Sequence, residues 1–540
     1  MALKRTILIL ATVAVSAALL VTACGQATPT PEAPTEEGTG PAAPVETESA
    51  APEENIGVFG YYESPTELDP SATFDATNTI TANLYETLTF YNNPGSDQLI
   101  GPRLATSWEK NEDGTIWTFH LRQGVTFHDG TPFNAEAVRF SFDRSSQPDF
   151  PVSYIFDPIN RMEVVDNYTI RFYCDYPAPL DLIFASAYGA WIMSPTTVAD
   201  KDSAWFNEGH EAGTGPYYIE SYEPGQRLVL ASYPEYWGGW EPGQFTRVIY
   251  EVIEDPSTRE QMLRSGEIDI STNLTVENIP DLMQQPDLVV DNAPAFVNLF
   301  AHMNERRPPL DNPLVRQALI YSFPYEAVVQ NVYLGLATPA SGAIPANMWG
   351  HNPNLAVQQD KARAAELLAE AGYPGGGFEL RFWVWEGIPV FQQIGEIWAP
   401  ELAELGITLQ IQVMNGAAIY DIADNNPEEA HDILALRWWP TYVTPYDWLY
   451  SQFYTDGYGN YSYYSNPTFD ALVDEANIMT GTDVEEAGRM FAEAQQILAD
   501  DAVAIFVMDL PYTTVFRSDI TGYHYYPGYT AVVFWYDLRR

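Results

Sequence analysis

Asp113-Gly114-Thr115-Ile116-Trp117-Thr118-Phe119-His120-Leu121-Arg122-Gln123-Gly124-Val125 is followed after one residue by Phe127-His128-Asp129-Gly130-Thr131-Pro132-Phe133-Asn134-Ala135. Asp-Gly is a turn dipeptide, because glycine takes a positive φ without a Cβ clash and aspartate folds its carboxylate onto the backbone ahead of it. Turns at Asp113-Gly114 and Asp129-Gly130 bracket an apolar run at 117–121, so the stretch reads as a strand-and-turn unit. His128-Asp129-Gly130 also has the composition of a binding loop, but the turn reading requires nothing beyond the dipeptide.

Outward from this unit, further strand-like runs at 56–62, 168–172, 227–231 and 248–253 alternate with helices that carry start and stop signals. Asp255-Pro256 opens a helix that Gly266 closes, and Asp311-Asn312-Pro313 opens another through Leu319. Asp360 opens 361–371 with Gly372 behind it, Asn466-Pro467 opens 468–479, and Thr482 with Glu485 forms a capping box for a helix to Leu498. Mixed strands and helices over this length indicate α/β or α+β domains, with no internal repeat.

The chain has 540 residues, 46% of them hydrophobic, enough for two to four domain cores. Acidic residues outnumber basic ones 73 to 25, for a net charge of -48, which excludes nucleic-acid and anionic-membrane binding through a broad basic surface. The two cysteines, Cys24 and Cys174, form no CxxC pair and no metal-ligand spacing. Lys4 and Arg5 precede an apolar run to Val21, a secretory signal layout over residues 1–23. Leu20-Val21-Thr22-Ala23-Cys24 resembles the lipobox of bacterial lipoproteins, in which Cys24 becomes the lipidated first residue. Residues 25–55, rich in Ala, Pro, Thr and Glu, have too few large apolar side chains for a core and read as an extended tether.

A second landmark is aromatic. Between Trp438 and Tyr464 stand Trp438, Trp439, Tyr442, Tyr446, Trp448, Tyr450, Phe453, Tyr454, Tyr458, Tyr461, Tyr463 and Tyr464. Rings with polar handles suit the wall of a ligand site. Pro440 and Pro445 make 438–444 an irregular loop leaving the apolar strand 433–436.

Several motifs carry a family resemblance. Leu84-Tyr85-Glu86-Thr87-Leu88 and Pro102-Arg103-Leu104-Ala105-Thr106-Ser107-Trp108-Glu109 precede the opening stretch. Gly213-Thr214-Gly215-Pro216-Tyr217, Tyr236-Trp237-Gly238-Gly239, Gly266-Glu267-Ile268-Asp269-Ile270, Val315-Arg316-Gln317-Ala318-Leu319 and Leu367-Leu368-Ala369-Glu370-Ala371-Gly372-Tyr373 follow it. Together they resemble the family 5 extracellular solute-binding proteins of bacterial ABC importers, over essentially all of residues 56–540. The resemblance implies an α/β, two-lobed, periplasmic-binding-protein-like fold of class II type, with an extra inserted domain and a cleft between the lobes. It implies one lobe from 56–85, 214–300 and 503–540, an inserted domain at 86–213 and a second lobe at 301–502. Hinge crossings fall near 298–304 and 501–505, and closure on the ligand presents the protein to permease subunits of the transporter. The expected protein is a monomer, held to the membrane only by its N-terminal lipid, with no cofactor and no metal.

In the peptide-binding members, an aspartate on the loop matching 438–444 pairs with the amino terminus of the peptide. Setting Pro445 and Leu449 on the family's Pro and Leu puts Thr441 there, without charge; Asp447 is the candidate substitute, or else a helix N-cap. Trp438 matches the family's pocket tryptophan, and Trp439, Tyr442 and Tyr446 extend that wall. Trp383 and Trp385, two apart on a strand, share one face, as a second stacking surface or as core. Phe74 and Asp75 lie in a segment that borders the cleft in relatives. A neutral loop rich in Trp and Tyr also suits sugar rings, so an oligosaccharide rivals a peptide, and opines remain open. The seven histidines are scattered, which argues against nickel. A secreted glycoside hydrolase, with two opposed carboxylates, is the alternative of another class.

Overall fold

The computed structural model describes residues 54–540 apart from 75, 76, 93–95 and 97. Cys24, the signal segment, nearly all of the tether and Asp75 lie outside the described residues. Among these residues, no helix is long and apolar enough to cross a membrane.

The backbone of the fold is one eleven-stranded mixed sheet. Its order is Ile407–Met414, Phe378–Trp385, Ile433–Trp438, Leu288–Met303, Ala504–Arg517, Ile270–Thr272, Ile56–Tyr61, Arg247–Val252, Arg227–Ser232 and Tyr217–Glu223, with Thr338–Pro339 pairing onto Ala504–Arg517. The two central strands, of 16 and 14 residues, run antiparallel and belong to both halves. One half adds its strands along the far end of Ala504–Arg517, and the other adds Ile433–Trp438 and its neighbours along the far end of Leu288–Met303. This is the two-lobed α/β fold.

The central ladder slips between Pro294 and Asn298, where Pro294 stands opposite Pro511. Proline has no N–H to donate, so facing prolines interrupt the ladder there. A second shift lies between Leu299 and Phe300, within the expected crossing at 298–304, and pairing resumes with Ala301 opposite Ile505 and His302 opposite Ala504.

Beside this break lies Asp509, 8% exposed. Its Oδ2 accepts from Ala346 N at 2.9 Å, and its Oδ1 has no hydrogen-bond partner. Burial pushes its pKa up to about 7. A carboxyl raised above its unfolded value of about 3.9 favours folding only when protonated. Its contribution is fully present below about pH 4 and is lost as pH rises toward 7, by on the order of 4 kcal/mol. Asp509→Asn is therefore expected to gain stability relative to wild type between pH 4.5 and pH 8 in urea titrations. Parallel pH profiles for the two proteins would mean that Asp509 ionises normally.

The helix signals work as read. Asp255, Asn312, Asp360 and Asn466 each accept from a backbone N–H of the first turn, at 2.8, 3.0, 2.9 and 3.0 Å. Gly266 ends Pro256–Ser265 in the left-handed region at φ 77°, where a Cβ would be strained. The capping box is displaced by one residue. The cap of Val484–Asp500 is Asp483, which accepts from Glu486 N at 3.0 Å, while Thr482 Oγ1 turns back to Met479 O. A carboxylate is the stronger acceptor and also complements the helix dipole.

The opening stretch forms Ile116–Leu121 inside a four-stranded antiparallel sheet with Ala105–Lys110, Thr169–Cys174 and Ile159–Asp166. His128-Asp129-Gly130 is a structural turn. Gly130 has φ 78°, Asp129 accepts from Thr131 N, Ser194 Oγ and Thr197 Oγ1, and His128 is pinned between Glu211 and Gly215 O.

Candidate ligand-binding cleft

A cavity of about 400 Å³ opens between the halves of the sheet. Each wall follows from the topology. Tyr62 and Glu63 leave the end of Ile56–Tyr61; Phe74 packs on Tyr188 with ring centroids 5.0 Å apart; Leu510, Pro511 and Tyr512 form the floor where the central ladder is broken. The other half supplies Tyr333, Arg437 and Trp439. Burial raises the pKa of Tyr62 and Tyr333, and that of Tyr512 to about 12, so these hydroxyls stay neutral donors and acceptors. Of the described lining residues, only Glu63 and Arg437 carry charge.

The structure distributes the aromatic run over several environments. Trp438 is the last residue of its strand rather than part of the loop, and its Nε1 donates to Asp447 Oδ2 at 3.2 Å. Trp439 stacks on it at 6.2 Å and reaches the cleft. Thr441 is 2% exposed and fully engaged. Its N donates to Asp447, its Oγ1 accepts from Tyr154 at 2.6 Å, and its carbonyl accepts from Ser186 Oγ at 2.6 Å. The position at which the resemblance implies an amine-binding aspartate is thus sealed by the 153–186 region.

Asp447 is not the helix cap. Thr444 holds that place in Pro445–Phe453, accepting from Tyr446 N, and Asp447 sits in the first turn. Asp447 is 3% exposed, and burial raises its pKa to about 6 against the opposing effect of its donors Thr441 N, Trp438 and Tyr154. Its carboxylate therefore organises the loop from within.

Tyr442 and Tyr446 line a second cavity of about 460 Å³, with Tyr154, Tyr176, Tyr450 and Tyr458. Trp383 and Trp385 lie on the strand Phe378–Trp385 and do not line the cavity. Trp383 is 3% exposed and donates to Gln412 Oε1; Trp385 is half-buried, donates to Ala435 O and meets Tyr420 edge-on. Of the expected residues that are described, Phe74 and Trp439 come together at the cleft, whereas Trp438, Thr441, Tyr442, Tyr446, Asp447, Trp383 and Trp385 do not line it.

The cleft residues that the sequence did not single out are Tyr62, Glu63, Tyr188, Tyr333, Arg437 and Tyr512. Arg437 had a readable signal, a lone charge ending an apolar strand just before two tryptophans. Tyr512, in mid-strand, had none. Among the described residues, no group of three or more His, Cys, Asp or Glu side chains is placed to hold a metal ion.

Residues 100–460 match the bacterial extracellular solute-binding proteins, family 5 (middle). The chain belongs to this family. The family 5 protein is 29% identical over 490 residues to the probable D,D-dipeptide-binding periplasmic protein of Escherichia coli strain K12, covering 88% of this chain and 93% of the relative. It is 28% identical over 476 residues to the glutathione-binding protein of Pectobacterium atrosepticum, covering 86% and 90%. Among solved structures, it matches the periplasmic binding protein DppA of Helicobacter pylori in complex with peptide STSA. That match has a TM-score of 0.74 and 25% identity, covering 90% of this chain and 98% of the other.

Proposed function

We propose that this family 5 protein is the extracytoplasmic receptor of an ABC importer, capturing a short peptide or similar small solute in its cleft and delivering it to a membrane permease. The observation that carries this reading is the cavity of about 400 Å³ walled by both halves of the sheet, with six aromatic side chains and two charged ones among its described lining residues. That size and chemistry suit an enclosed small ligand. The relatives named for D,D-dipeptide and glutathione binding, and the neighbour holding a peptide, support the peptide class. An oligosaccharide has less support, because Trp438, Trp383 and Trp385 do not line the cavity. The protein works by binding and release, as a monomer. Closure about the break at Pro294 and Pro511 shifts the population toward the form that the permease engages. Lipid on Cys24 tethers it, and Cys24→Ala is expected to move it from the membrane fraction to the soluble one.

A thermal-shift screen tests the ligand class, using di- to pentapeptides alongside α- and β-linked oligosaccharides. A solute that binds only the folded protein at a hundred times its Kd stabilises it by about 2.7 kcal/mol. Peptides are expected to raise the melting temperature. A shift with sugars alone would replace the peptide reading by the carbohydrate one.

A further inference from the structure

Arg437 is the next-to-last residue of Ile433–Trp438 and stands exposed on the cleft wall. Among the described residues, its side chain makes no ion pair and no hydrogen bond. In a chain with 73 acidic and 25 basic residues, a carboxylate partner is easy to supply, and other arginines have one, such as Arg144 with Asp69 and Arg307 with Asp432. Among the described residues, no carboxylate lies within ion-pair distance of Arg437. It acts electrostatically on the hydroxyls of Tyr62, Tyr333 and Tyr512, which are neutral and offer no counter-charge. Glu63 also lines the cleft, is hydrogen-bonded to Tyr62, and acts on Tyr512 as well, so both cleft charges act on the same pair of tyrosines.

A guanidinium presents a planar fork of N–H donors that fits a carboxylate in two parallel hydrogen bonds. On the cleft wall and without an ion pair among the described residues, it is suited to receive a ligand anion. We propose that Arg437 receives the carboxylate of the ligand and Glu63 its ammonium group, so that the protein selects small solutes carrying both charges, short peptides with free termini. The assignment rests on the receptor reading above and locates recognition away from Thr441, where the resemblance would put it.

Calorimetric titration of the purified protein tests it, using di- and tripeptides from the screen, each as free acid, C-terminal amide and N-acetyl derivative. The amide is expected to bind roughly 10- to 150-fold more weakly than the acid, the range for losing a hydrogen-bonded charge. Arg437→Gln is expected to erase the difference between acid and amide, and Glu63→Gln that between free and acetylated amine. The melting temperature of unliganded Arg437→Gln should stay at the wild-type value, since the side chain has no partner to lose. Peptides that bind equally well as acids and amides, or an Arg437→Gln protein that still discriminates, overturn the assignment while leaving the receptor reading intact. Binding of neutral sugars with no peptide bound overturns both.

Discussion

Asp69→Ala is expected to lower the unfolding free energy by about 3–5 kcal/mol, the cost of leaving a buried charge without its partner. Asp69 is 0% exposed. Arg144 grips it with both terminal nitrogens, at 2.7 and 2.5 Å, while Ser71 N and Ser203 Oγ donate to the same carboxylate. The Arg144 guanidinium lies over Phe150 and Phe206 and also donates to Ser71 Oγ, so without Asp69 its charge keeps only a neutral acceptor in this mostly buried place. The pair joins the segment after Ile56–Tyr61 to the helix Ala135–Ser145. Combining Asp69→Ala with Arg144→Met should recover most of the loss, because the double variant buries no lone charge. Urea unfolding of the single and double variants is the check. A single variant within about 1 kcal/mol of wild type would show that the guanidinium finds another partner.

The second large effect is expected at Glu86. Its carboxylate accepts from Arg103 Nε at 2.9 Å, Tyr236 OH at 3.0 Å, Trp237 Nε1 at 2.8 Å and Thr214 Oγ1 at 3.0 Å. Arg122 in turn stacks on Trp237, 4.0 Å from the ring centroid. Four of the motifs that carried the family resemblance, spread from Glu86 to Trp237, thus meet at one buried carboxylate, and the opening stretch joins them through Arg122 on Trp237. Glu86→Ala orphans four donors at once and should cost about 3–5 kcal/mol, whereas Glu86→Gln, which keeps the shape and an acceptor, should cost less. Equal losses for the two variants in the same urea experiment would contradict a role for the charge.

The same network shows why those short motifs were legible. Gly213 must lack a side chain because a Cβ there would sit 1.9 Å from Leu84 O, and Gly215 donates its N–H to that same oxygen at 2.8 Å. Each motif is a local solution to a close approach, and residue types under such constraint read clearly even from one sequence. The aromatic run was less informative because a tyrosine can satisfy a core, a cavity wall or a hydrogen bond equally well. Thr441 and Tyr154, hydrogen-bonded across 287 positions, carried no sign of each other in the sequence.

By itself the sequence determined the mixed α/β class, the helix starts at Asp255, Asn312, Asp360 and Asn466, the turns at Asp113-Gly114 and Asp129-Gly130, and the family. These follow from backbone preferences and caps acting within a few residues. Only the tertiary structure decided that the central ladder breaks at Pro294 and Pro511, that Trp439 lines the cleft while Trp383 does not, and that Thr441 is buried while Arg437 has no ion pair among the described residues. Those outcomes depend on which distant strand lies alongside, and packing between remote segments, not local preference, sets which face of a residue is covered.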